Sequence, residues 1–155
     1  MYKEIVKNIS KEIMSILGGG YKEHIYQKAI CTELMLRNIV HNTEVIIPIV
    51  YKQHSLGFGR ADIIIDNQMI LELKAVSSSP GDLEKQQLIN YMNMSGIRTG
   101  YVINFNRVKQ EPEFIYVSMP TDLGAPSALS FANSAPVITD PNKLITINDI
   151  NTMIL

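Results

Sequence analysis

The chain has 155 residues, the length of one domain with a buried core. Its 46% hydrophobic and 19% charged residues exclude a disordered or collagen-like chain. A net charge of -1 excludes a protein that coats nucleic acid through overall positive charge, so binding of a polyanion must rest on a local patch, a bound cation or a partner.

Ile5, Ile9, Ile13 and Ile16 recur at helical spacing and predict an amphipathic helix over 3–17, stopped by Gly18-Gly19-Gly20. A second helix is expected over 21–38, with Ile25, Ala29, Ile30 and Leu34 as its apolar stripe. The β-rich run E-V-I-I-P-I-V-Y-K at 44–52 contains Pro48, which argues for an edge position or a bulge. Gly57 and Gly59 are expected to bound the turn into a strand at 60–65, and Asp66-Asn67 the turn into another at 69–76. Asp82 is placed as the cap of a helix that ends at Gly96, followed by a buried strand at 99–105. Beyond Lys109 prolines punctuate a tail poor in charge. F-I-Y-V-S-M there can form one more strand, and L-I-T-I-N-D-I-N-T-M-I-L a strand or short helix. The expectation is an α/β protein with a mixed sheet flanked by helices.

Cys31 is the sole cysteine, and His24, His41 and His54 show no ligand spacing, so neither a disulfide framework nor a zinc cluster is expected. The N-terminus lacks the apolar core of a signal peptide and no apolar run reaches membrane-spanning length. A soluble protein of the reducing cytoplasm, with no membrane partner, is the expectation.

The chemistry concentrates in Asp62 and in Glu72-Leu73-Lys74. Side chains alternate along a strand, so Glu72 and Lys74 share a face. If Asp66, Asn67 and Gln68 form a three-residue loop, Ile65 pairs with Met69 and Asp62 lies opposite Glu72, with roughly 4.5–5.5 Å between Cβ atoms. A two-residue loop would put them on opposite faces. On the three-residue register, Ile63, Ile65, Met69, Leu71 and Leu73 line the other face, while Ile64, Ile70 and Val76 accompany the carboxylates. The hairpin is then central and covered on both sides. Two carboxylates so placed repel each other and are costly to desolvate, and a divalent cation such as Mg²⁺ resolves both costs. A cation there would polarise a phosphate and activate water, with Lys74 stabilising charge. The bland alternative is a partly solvated Lys-Glu ladder at a strand end.

Three further motifs surround the triplet: G-x-x-E-x-x-Y at Gly20 to Tyr26, G-x-x-D at Gly59 to Asp62, and Q-x3-Y at Gln87 and Tyr91. With V-I-N-F at 102–105, the set resembles the GxxExxY family of the PD-(D/E)XK nuclease superfamily, and the Q-x3-Y element resembles the RecB-type nucleases. The resemblance spans about 3–108. It implies a restriction-endonuclease-like αβββαβ core with an extra N-terminal helix, Mg²⁺ or Mn²⁺ as cofactor, and DNA as substrate. By motif match Asp62 and Glu72 become metal ligands, joined by the peptide oxygen of Leu73 and by Glu23. Lys74 becomes the catalytic lysine, and Gln87 and Tyr91 border the active site. The expected organisation is a nuclease-like domain at 1–108 and a C-terminal extension at 109–155 that packs on the domain, on a second copy or on a protein partner.

Single residues carry competing readings. Glu23 lies on the row 23-27-30-34, which tilts toward the core as a metal-shell carboxylate should. With Gly20 as N-cap, however, it is a third helical residue that closes a cap. Arg60, Tyr26 and Lys85 are the candidate nucleic-acid contacts; the alternatives are a surface ion pair for Arg60, core packing for Tyr26 and a solvated side chain for Lys85. Glu44 reads as a strand-start residue, with support of the metal site from behind as the alternative, and Cys31 as a small core hydrophobe. The function expected is a metal-dependent nuclease acting on DNA; the alternatives are a catalytically silent nuclease fold that serves as a nucleic-acid-binding or assembly module, and an RNA nuclease, which differs only in substrate.

Overall fold

The structure is a computed structural model and describes residues 1–120. Helix α1 (Tyr2–Leu17) buries Val6, Ile9, Ser10, Ile13 and Met14. Ile16, expected on the same stripe, lies on the exposed last turn. Gly18 ends the helix with φ 71° while its N–H bonds the Met14 carbonyl. Helix α2 (Glu23–Leu36) buries Tyr26, Ile30 and Leu34. It starts two residues later than expected, with Lys22 as N-cap. Glu23 is therefore the first helical residue, and the cap-closing role at a third position falls away.

Five strands follow: β1 (His41–Tyr51), β2 (His54–Ile65), β3 (Met69–Lys74), β4 (Thr99–Phe105) and β5 (Pro112–Ser118), in the spatial order β1-β2-β3-β4-β5. Helix α3 (Asp82–Ser95) links β3 to β4, which pair in parallel; the other neighbours are antiparallel. A parallel pair needs such a crossover, and α3 supplies it. The series α2-β1-β2-β3-α3-β4 is the expected αβββαβ order, with α1 before it. The sheet continues past Lys109, because β5 pairs along β4 from Phe105–Pro112 to Thr99–Ser118. The strand or helix expected near the C-terminus lies outside the described residues. None of the described helices is long and apolar enough to cross a membrane.

Pro48 sits in the edge strand β1, where a missing N–H is tolerated. The β1–β2 turn is at Lys52-Gln53, both at positive φ (46° and 67°), and not at the glycines. Gly57 and Gly59 lie inside β2, which is twelve residues long instead of six. Helix α3 is capped by Gly81, whose N–H donates to Glu84 at 2.9 Å; Asp82 is the first helical residue. At its other end Gly96 is left-handed, as a glycine stop should be.

Two cores sandwich the sheet. Ile63, Ile65, Met69, Leu71 and Leu73 face α1 and α2, where Tyr26 stacks on Phe105 at 4.3 Å between centroids. Ile64, Ile70 and Val102 face Leu88 and Met92 of α3. The hairpin register is Ile63–Leu71, Ile64–Ile70 and Ile65–Met69. Asp66 and Asn67 take left-handed conformations (48° and 53°) and Gln68 N–H closes onto the Ile65 carbonyl, forming the three-residue loop.

Candidate active site

The site begins where β2 and β3 part. Their pairing stops at Ile63–Leu71, whereas β2 stays paired to β1 as far as His54. Strict alternation fails at this point. Ala61 and Ile63 are two residues apart, yet Ala61 packs under α3 with Ile64 and Ile63 packs in the opposite core. Opposite Asp62, Glu44 of β1 drops out of the ladder between Thr43–Ile63 and Val45–Ala61, with φ 53°. The local irregularity frees Asp62 from the sheet faces. Its Oδ2 accepts the Leu73 N–H at 2.7 Å, in the place a strand carbonyl would occupy. Within a strand residue the N–H and C=O point to the same side, so the Leu73 carbonyl faces the same opening.

A cleft of about 440 Å³ lies over this opening. β2 contributes Phe58, Gly59, Arg60 and Asp62, and β3 contributes Glu72 and Lys74. Glu23 enters from the start of α2, and Gln87 and Tyr91 from α3. Seven residues singled out from the sequence (Glu23, Arg60, Asp62, Glu72, Lys74, Gln87 and Tyr91) thus meet on one wall-to-wall surface. Leu73 joins them through its backbone. Two do not. Tyr26 is fully buried, donating its hydroxyl proton to the Gly18 carbonyl at 2.7 Å, and has no surface to offer a nucleic acid. Lys85 is exposed on α3 and does not line the cleft.

The electrostatics are those of crowded, half-dehydrated acids. Glu72 is 4% exposed and its Oε1 has no hydrogen-bond partner. Burial first, and the Asp62 charge second, push its carboxyl up to about 8, against the pull of Lys74. Burial also raises Asp62, opposed by the Leu73 N–H, and it raises Glu23, reinforced by the charge on Asp62. An acid that stays buried without a partner carries a free-energy cost, which a cation would remove. Among the described residues no three His, Cys, Asp or Glu groups are already gathered as a metal cluster. The donor set that fits a hard cation is Asp62, the orphaned Glu72 Oε1 and the Leu73 carbonyl, an all-oxygen set that leaves positions for water and phosphate.

Polar contacts from α2, β1 and α3 brace the site. Gln27 Nε2 donates to Glu44 Oε1 at 2.8 Å and to the Asp62 carbonyl at 3.0 Å, tying α2 to the irregular stretch. Its signal was the row 23-27-30-34. Glu44 also pairs with Arg60, Nε to Oε2 at 2.6 Å. Gln87 Nε2 donates to the Tyr91 hydroxyl at 3.1 Å. The Tyr91 ring lies so close to Gly59 that a Cβ there would stand 2.2 Å from Cε1. Phe58, 65% exposed on the cleft, had no sequence signal.

Among solved structures, the crystal structure of SSO0001 is similar, at a TM-score of 0.47 and 23% identity. The match covers 64% of this chain and 50% of that one, so the chain spans half the length of that protein. No curated protein shows detectable similarity to the chain. The family model of the PD-(D/E)XK nuclease superfamily matches residues 1–117, well over half of the sequence, and covers every element that builds the cleft. On that match the α/β fold is restriction-endonuclease-like, and the chain belongs to the PD-(D/E)XK nuclease superfamily.

Proposed function

We propose that the protein is a divalent-metal-dependent nuclease of the GxxExxY type that hydrolyses DNA phosphodiester bonds in this cleft. The observation that carries the proposal is the buried Glu72 carboxylate with an unpartnered oxygen beside Asp62, within the electrostatic reach of Lys74. Asp62, Glu72 and the Leu73 carbonyl would hold Mg²⁺ or Mn²⁺, with Glu23 at the rim. When bound, such an ion supplies Lewis-acid polarisation of the phosphate and a water of lowered pKa.

The residues of the chain do the rest. The Lys74 ammonium neutralises charge that develops on the phosphate oxygens and holds the attacking water on the cleft side of Glu72. Glu44 holds Arg60 by one guanidinium nitrogen, and the others are available to a phosphate oxygen. The Gln87–Tyr91 pair forms the α3 wall and limits where the strand can lie.

Purified protein is expected to cut DNA with Mg²⁺ or Mn²⁺, and Asp62→Asn or Lys74→Ala to reduce cleavage by at least two to three orders of magnitude, on the scale of a lost electrostatic stabiliser. Full activity in both variants would sink the mechanism. Calorimetry with Mn²⁺ gives an independent arm: binding in the wild type that is lost in Asp62→Asn supports the ligand assignment.

A further inference from the structure

Phe58 is the exposed aromatic ring of the cleft and no packing explains it. It is 65% exposed on a hairpin whose Tyr51 and Leu56 are exposed as well, and unlike them it lines the cleft. Its cross-strand partner is Pro48, itself exposed. The strand beneath it is firmly seated, because the next residue, Gly59, is clasped by Tyr91. Phe58, Arg60 and Asp62 are alternate residues of β2 and all line the cleft. At about 3.3 Å per residue the ring lies roughly 13 Å from Asp62, with Arg60 between them. From Val45 to Ala61 the sequence contains Lys52, His54 and Arg60 and no acidic residue. Arg60 pairs with Glu44, so the stretch presents an aromatic and apolar surface with Lys52 at its turn, on a chain of net charge -1.

We propose that Phe58 is a base-stacking platform, and that the strand reaching Asp62 and Glu72 is unpaired: single-stranded DNA or the frayed end of a duplex. The proposal rests on the nuclease reading above and names its substrate class. The faces of bases inside a duplex are covered by their neighbours and cannot stack on a protein ring, whereas an unpaired base has a free face that any aromatic side chain can take. Arg60 then meets the phosphate between the stacked base and the one to be cut. Stacking tolerates every base, so the platform selects for strand state and not for sequence.

The chain contains no tryptophan, so Phe58→Trp introduces one fluorophore at the platform. With Ca²⁺ in place of Mg²⁺, a single-stranded oligonucleotide is expected to quench this emission, and a blunt hairpin duplex of equal charge to leave it largely unchanged. Phe58→Ala is expected to lower single-strand affinity about tenfold or more, with duplex affinity nearly constant. Equal losses for the two substrates, or no loss for either, would overturn the platform. These outcomes leave the nuclease reading intact, because that reading is tested separately by Asp62→Asn and Lys74→Ala. A wild-type protein that binds neither substrate overturns both. Phe58 is exposed, so its variants are not expected to disturb folding, and circular dichroism checks that.

Discussion

Glu72 and Glu113 show how differently one fold can treat a carboxylate. Glu72 is left without a partner for one oxygen, whereas Glu113 on β5 collects donors from all sides. Asn104 and Asn106, both fully buried, donate to its Oε2 at 3.0 and 2.9 Å, and Ser79 and Lys109 bond Oε1. The same asparagines hold the loop after Lys74: Asn104 accepts the Val76 N–H and donates to the Val76 and Ser78 carbonyls, and Asn106 donates to Ser77. Desolvation pushes the Glu113 carboxyl up, but the Lys109, Ser79 and asparagine hydrogen bonds outweigh it and hold it at about 2. A depressed acid adds stability above its ordinary value of 4.5, and that stability is lost as pH falls toward about 2. Unfolding midpoints measured across that window should fall steeply in the wild type and more gently in Glu113→Gln; parallel curves would show that the network contributes nothing. The asparagine of V-I-N-F was therefore legible as a motif residue, but not as a loop clamp. Its partners come from two separate segments, the loop at Val76–Ser78 and Glu113 of β5, that only the fold brings together. Glu72 and Lys74 share a face by the two-residue period of a strand and the three-residue loop follows from counting the hairpin, but Asp62 is legible only as a motif residue, because alternation breaks between Ala61 and Ile63. Glu44 and Phe58 were not, since an off-ladder backbone and an unexplained exposure leave no mark in a sequence.

At the scale of elements, the long second strand is the main departure from what the pattern suggests. Glycines inside a run ordinarily read as turn residues, and the real turn at Lys52-Gln53 uses two residues that carry no turn signature. Gly59 belongs to the strand because α3 comes down on it through Tyr91. Its φ is not in the left-handed region, so the need for glycine is one of space and not of backbone. Gly59→Ala places a methyl group inside the tyrosine ring envelope and should cost about 1–3 kcal/mol in urea unfolding, as overpacking does. Because the displaced group is a cleft-wall residue bonded to Gln87, cleavage should fall as well. In a Tyr91→Ala background the same glycine substitution should cost little, since the obstacle is gone. Additive losses in that double-mutant cycle would mean that Gly59 is required for another reason. Helix α1 is legible because it carries a 3.6-residue apolar period, and β3 and β4 because they are short, almost fully buried apolar runs bounded by turn residues. The exposed outer half of the β1–β2 hairpin has apolar residues on both faces and gives no such period.

Across residues 1–120 the sheet has a core on each face and an opening at the line where β2 leaves β3, and the acidic site occupies that opening. Placing Glu72 there costs stability whenever it is ionised without a cation. Its folded value, raised from 4.5 to about 8, means that stability is fully present below 4.5 and is lost as pH rises through about 8. Metal-free Glu72→Gln cannot ionise at this position. Its unfolding midpoint should therefore exceed that of the metal-free wild type above about pH 8, and the difference should shrink as pH falls toward 4.5. A cation that binds only the folded state offsets the cost in the wild type by mass action, by about 2.7 kcal/mol at a concentration one hundred times its Kd. Mn²⁺ should thus raise the wild-type midpoint and leave Glu72→Gln almost unmoved, while cleavage is lost in the variant. If Mn²⁺ raises both midpoints equally, the ion is bound elsewhere and Glu72 is not its ligand. If metal-free Glu72→Gln is the less stable protein above pH 8, the carboxylate makes a stabilising contact and the opening between β2 and β3 is not held under electrostatic tension.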